Sequence, residues 1–95
     1  MNSEDQKLIT LAKSTQQRFE RNQGAAVRCV SGRTYVATEV IIGDWALDAL
    51  EVALAQAISS GSEKIEAFFT FGKVTSERAL KLLGIHSPEA YRVSE

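Results

Sequence analysis

At 95 residues, 44% hydrophobic and 24% charged, the chain has the make-up of a soluble globular protein and too little interior for two cores, which bounds it at one domain over 1–95. Its 11 basic and 12 acidic residues give a formal net charge of −1 and are mixed along the sequence. That excludes a field of one sign able to gather phosphate backbone or anionic lipid, so nucleic acid is not an expected partner.

Ser3 precedes Leu8, Ile9, Ala12 and Phe19 at helical spacing, and Gln6 three places on would close a capping box; this predicts a first helix over 4–21. Asn22, Gln23 and Gly24 break it. AAVRCV and TYVATEV follow as β-branched runs parted by Ser31, Gly32 and Arg33, the pattern of a β-hairpin. Gly43 and Asp44 supply a break and an N-cap for a second helix over WALDALEVALAQAISS, with Leu47, Leu50, Leu54, Ala55 and Ile58 on one face. Because it is apolar nearly all round, this helix is expected to pack against the sheet and also against another helix or a partner subunit. Gly61 ends it. Ile65, Ala67, Phe68, Phe69 and Phe71 then make an apolar run of strand length, as in a central strand covered on both faces. A third helix is predicted from about Ser76 to Leu83 with Gly84 as its stop, and AYRVS after Pro88 adds a short last strand through a right-handed crossover. The element order predicts the α/β class: a three-layer α/β/α sandwich on a mixed sheet of three or four strands, with strands 1 and 2 as a hairpin and a parallel βαβ unit after them.

The residues that carry chemistry are few. One cysteine, Cys29, excludes an internal disulfide and a thiolate metal site, and the single histidine, His86, has no second histidine at ligand spacing. Cys29 reads as a small buried hydrophobe within a strand. His86, Ser87 and Glu89 resemble a triad only in composition, since a short segment lacks the support that catalytic geometry needs. Arg18, Arg21 and Arg28 read as a solvated face diluted by Glu20. No apolar run reaches the ~20 residues that cross a bilayer, and MNSEDQK lacks the basic-then-apolar order of an export signal, so the expected location is cytoplasmic, with no membrane partner.

From Leu11 to Phe71 the chain resembles the cytidine deaminases in the order of its landmarks: LAK in the first helix, GAAV opening the first strand, SGRTY across the hairpin, and VALAQAISSGSEKIEAFF running from helix into strand. In those enzymes one His or Cys and two further Cys hold a zinc that ionises water, and a glutamate two places after the first ligand shuttles the proton. The family's Cys-Ala-Glu sits just before the Val-Ala-Leu of the second helix; here the corresponding residues are Asp48, Ala49 and Leu50. Its Pro-Cys-x-x-Cys falls near KVTSERALKLL, which has neither residue type, and its sugar-binding Asn-x-Glu corresponds to Glu39, Val40 and Ile41. Shifting the register to make Glu51 the shuttle places Ala49 at the first ligand, so no register restores the donors.

The resemblance thus implies a non-catalytic relative with no zinc and no other cofactor, acting through self-association as a homodimer or tetramer, or through partner binding. The alternative is a small-molecule protein that binds a nucleoside or amine in a remnant pocket of Glu39, Asp44, Trp45 and Asp48. Each of these four also has a plain structural reading. Asp44 and Asp48 suit the first turn of a helix, Glu39 an exposed surface, and Trp45 a core or interface. A divergent nucleoside deaminase, the third reading, has no supporting motif.

Overall fold

A computed structural model describes residues 2–72 and 77–95. In chain order the elements are α1 (Ser3–Arg18), β1 (Gly24–Cys29), β2 (Thr34–Ala37), β3 (Val40–Ile42), β4 (Trp45–Leu47), α2 (Ala49–Ser59), β5 (Ile65–Phe71), α3 (Glu77–His86) and β6 (Tyr91–Arg92). One mixed sheet runs β2-β1-β5-β6, with β1 antiparallel to both neighbours and β5 parallel to β6. Helix α1 lays Leu8, Ile9 and Ala12 on Ala26, Ala67, Phe69 and Val93 of one face. Helices α2 and α3 cover the other, where Leu50, Ala53, Leu54, Ala57 and Leu83 meet Ala25, Val27, Ile65 and Phe68. The α/β/α layering therefore follows from the pattern of apolar residues, and every residue of β1 is buried, as two covered faces require.

Phe68 and Phe69 take opposite faces of β5, and the alternation breaks at the start of the strand for a local reason. Between Arg28 and Cys29 the pairing slips from Ala67 to Ile65, so Glu66 is an extra residue and Ile65 shares a face with Phe68. The bulge also delivers Glu66 to Arg28. Arg28 is not on a solvated face: it is buried within β1 and donates from Nε to Glu66 (2.6 Å) and from Nη2 to Asp5 (3.0 Å) and the Tyr91 hydroxyl (2.8 Å). One guanidinium thereby ties together α1, β1, β5 and β6.

GAAV begins with glycine because β1 passes directly beneath α1. A Cβ on Gly24 would collide with the Ala12 carbonyl oxygen. Gly24→Ala is expected to cost about 1–3 kcal/mol through overpacking against backbone, measured as a lower urea midpoint with an unchanged slope.

Four boundaries differ from the sequence pattern. Asn2, not Ser3, caps α1, its side chain accepting the Asp5 N–H at 2.8 Å, and the helix ends at Arg18. Trp45–Leu47 is a strand, not the first turn of α2; it pairs with β3 around Gly43 and Asp44, Gly43 taking the positive φ (+58°) that a two-residue turn asks of its first position. The β-branched Ile41 and Ile42 before that turn favour the ribbon. The N-cap of α2 is Asp48, four residues after Asp44, and the helix's buried stripe is Leu50, Ala53, Leu54 and Ala57, leaving Ala55 and Ile58 exposed. Gly84 does not stop α3, which runs on to His86, while the expected start at Ser76 lies outside the described residues.

At the far end of α3, Ser87 is buried, and its Oγ accepts the Ile65 N–H (2.7 Å) and lies 2.7 Å from His86 Nδ1. These bonds fasten the end of α3 to the start of β5; they do not present a nucleophile. Ser87→Ala leaves a buried N–H without its acceptor and is expected to lower stability by about 1–3 kcal/mol, read by chemical denaturation.

Candidate functional site

The start of α2 is where the sequence comparison concentrates its chemistry. Asp48 is the N-cap: its Oδ1 accepts the Glu51 N–H at 2.8 Å, and Glu51 Oε1 reaches back to the Asp48 N–H at 3.0 Å, a complete capping box. Both carboxylates also sit favourably at the positive end of the helix dipole. Gln23, in the loop before β1, accepts the Ala49 N–H through Oε1 at 2.9 Å. Three of the first backbone donors of α2, those of Ala49, Glu51 and Val52, thus have protein acceptors.

Glu51 is also gripped from α3. Arg78 donates from Nε to Glu51 Oε2 and from Nη2 to Oε1 (3.0 Å), and Nη2 also reaches the Ala46 carbonyl at 3.2 Å. The Glu51 side chain is only 5% exposed, whereas that of Arg78 is 61% exposed. A fork on a carboxylate is the strong form of this pair, and it raises the pKa of Arg78 above its ordinary value.

Beside this cluster is a hollow of about 240 Å³ lined by Gln23, Glu39, Ile41, Asp48, Glu51 and Arg78 among others. Of the four remnant-pocket residues expected from sequence, Glu39 and Asp48 line it. Asp44 lies at the tip of the β3–β4 ribbon and Trp45 on β4, 55% exposed; neither is among the lining residues. Glu39 is buried, not exposed, and accepts the backbone N–H groups of Asn22 (3.0 Å, Oε2) and Gln23 (2.9 Å, Oε1). Burial alone would raise its pKa, but those hydrogen bonds, with Arg21 nearby, outweigh it and hold the carboxyl below its ordinary value. A depressed folded-state pKa gives stability that is present above the unfolded value and lost as pH falls through the folded one. Glu39→Gln is accordingly expected to flatten the acid limb of the melting temperature below about pH 4.5, checked by calorimetry across pH.

The donor set does not fit a zinc ion that ionises water. Ala49 has no donor, and Leu50 is fully buried in the core beneath α2. The Asp48 and Glu51 carboxylates are engaged on backbone N–H groups, and Glu51 on a guanidinium besides. Among the described residues no group of three or more His, Cys, Asp or Glu is placed to hold a metal; residues 73–76 of the KVTSERALKLL stretch lie outside them. Two larger hollows, about 480 and 470 Å³, lie elsewhere, one lined by Cys29, Arg33, Tyr35 and Ser60 and the other by Lys64, Glu66, Ser87 and Tyr91.

The cytidine deaminase-like family model matches residues 1–88. The chain belongs to the cytidine deaminase-like family. Solved relatives share the fold at low identity. A cytidine deaminase from Mycobacterium leprae is 20% identical, with a TM-score of 0.72 over 88% of this chain and 84% of that one. A mutant cytidine deaminase from Mycobacterium tuberculosis is 18% identical, with a TM-score of 0.79 over 92% and 82%. The cytidine deaminase from Burkholderia pseudomallei is 17% identical, with a TM-score of 0.75 over 94% and 79%. No curated protein matches the chain in sequence. Among the described residues no helix of this cytidine deaminase-like protein is long and apolar enough to cross a membrane.

Arg78 was not singled out by the sequence pattern, and Glu51 entered it only as the proton shuttle of a shifted register. Asp48-x-x-Glu51 ahead of an apolar run is a capping-box signature, so the role of Glu51 at the helix start had a local signal. Arg78, 27 residues further on, had none.

Proposed function

We propose that this protein is a non-catalytic, cytoplasmic member of the family that works by self-association, as a homodimer or tetramer. The observation that carries the association is the β3–β4 ribbon. It stands outside the four-stranded sheet, and its Ile41, Ile42 and Trp45 side chains are 65%, 66% and 55% exposed. An isolated two-stranded ribbon is marginal in water, and clustered exposed apolar side chains mark interaction surfaces. Asp44 is the one charged residue from Val40 to Leu47. A patch of that kind tolerates being placed on itself by a two-fold operator, where a charged patch would repel its copy. Sedimentation velocity at high micromolar concentration is expected to show a dimer or larger species for the wild type and monomer for the Ile42→Ser/Trp45→Ser double variant. A strictly monomeric wild type would remove the proposal.

Support for non-catalysis comes from the start of α2, where Leu50 stands at the proton-shuttle position and the carboxylates are engaged within the chain. The second reading, binding of a nucleoside or amine, draws on the hollow beside Glu39 and Asp48. A native-state ligand raises the melting temperature, so a rise with millimolar cytidine or an alkylamine would favour it over association.

A further inference from the structure

We infer that the α2 start is a guanidinium site filled by the chain's own Arg78, which joins α3 to α2 as the fixed cation of this corner. The cradle is specific in shape. Both Glu51 oxygens face one guanidinium edge, and the Ala46 carbonyl takes a further bond from Nη2. An ammonium offers no planar fork to match this arrangement. Glu51 cannot turn to water, being 5% exposed and held by the Asp48 N–H. The guanidinium, by contrast, is mostly exposed, so the cradle is accessible from solvent once Arg78 is cut back. The tether also matters mechanically. Ala79 and Leu83 are the buried residues of α3, a short apolar contact for ten residues, and its Leu80, Leu82 and Ile85 are 41%, 50% and 73% exposed. The inference rests on the reading that this corner holds no zinc.

The test is thermal unfolding, with hydrogen exchange over α3, of wild type, Arg78→Met, Arg78→Lys and Glu51→Gln/Arg78→Met. Arg78→Met is expected to melt about 5 °C or more below wild type and to lose protection across Glu77–His86. Methylguanidinium at about 20 mM is expected to raise that variant by about 2 °C relative to sodium chloride of equal ionic strength, by mass action on the native state. It should raise neither wild type nor the Glu51→Gln/Arg78→Met variant. If Arg78→Met does not fold, Arg78→Lys, which keeps the charge and loses the fork, carries the test by melting below wild type. Wild-type melting and α3 protection in both single variants, or no response of Arg78→Met to methylguanidinium, would overturn the inference. Stoichiometric zinc in the purified wild type would instead overturn the reading on which it rests, so the two failures are told apart.

Discussion

Leu50→Glu is expected to unfold the protein rather than return a proton shuttle to it. The side chain at this position is fully buried among Ala25, Val27, Ala53 and Leu54, between α2 and the sheet. The substitution forfeits about 1.5–3 kcal/mol of leucine burial and adds the cost of a carboxylate with no partner in an apolar layer, several kcal/mol more. A domain of this size has roughly 5–14 kcal/mol in all. Far-ultraviolet circular dichroism should show a loss of native signal or a melting transition lowered by tens of degrees, with no gain of deaminase activity. A carboxylate at position 50 is therefore opposed by the packing of α2 on the sheet.

Arg28→Met is expected to be the second most damaging change. The Arg28 side chain is 7% exposed, and its guanidinium is the common partner of Asp5, Glu66 and Tyr91. Burial opposes its charge, yet bonds to Glu66, Asp5 and Tyr91 outweigh that and raise its pKa above the ordinary value. Methionine matches much of the volume but leaves Asp5, whose side chain is only 14% exposed, beside Tyr91 without its counter-charge. Removing one member of a buried ion pair costs about 3–5 kcal/mol. Glu66, 44% exposed, can turn to water, which places the expected loss at the lower end, about 3 kcal/mol. Urea denaturation checks it; a loss under about 1 kcal/mol would mean that the network contributes little.

The layered architecture was legible because it rests on periodicity. The all-buried β1, the apolar β5 and the amphipathic α1 each bear a pattern that only one placement satisfies. What was not legible depended on pairing at a distance. Trp45, Ala46 and Leu47 carry residues that suit a helix, and they are extended because Ile41 and Ile42 pair with them across Gly43–Asp44. Arg28 looked solvated in sequence because its partners lie 23, 38 and 63 residues away. At the site, Glu39 and Asp48 were named from the family pattern and do line one hollow. The role of Glu39 as acceptor for two loop N–H groups, and the grip of Arg78 on Glu51, came only with the fold.

On the reading proposed above, the start of α2 has internal pairing of Asp48, Glu51 and Arg78 where a zinc deaminase holds its metal. Protein produced in zinc-supplemented medium, assayed for bound metal by mass spectrometry and for ammonia release from cytidine, tests it most directly. The expected result is zinc far below one equivalent and no ammonia above the protein-free rate; one equivalent of zinc together with ammonia release would contradict this reading.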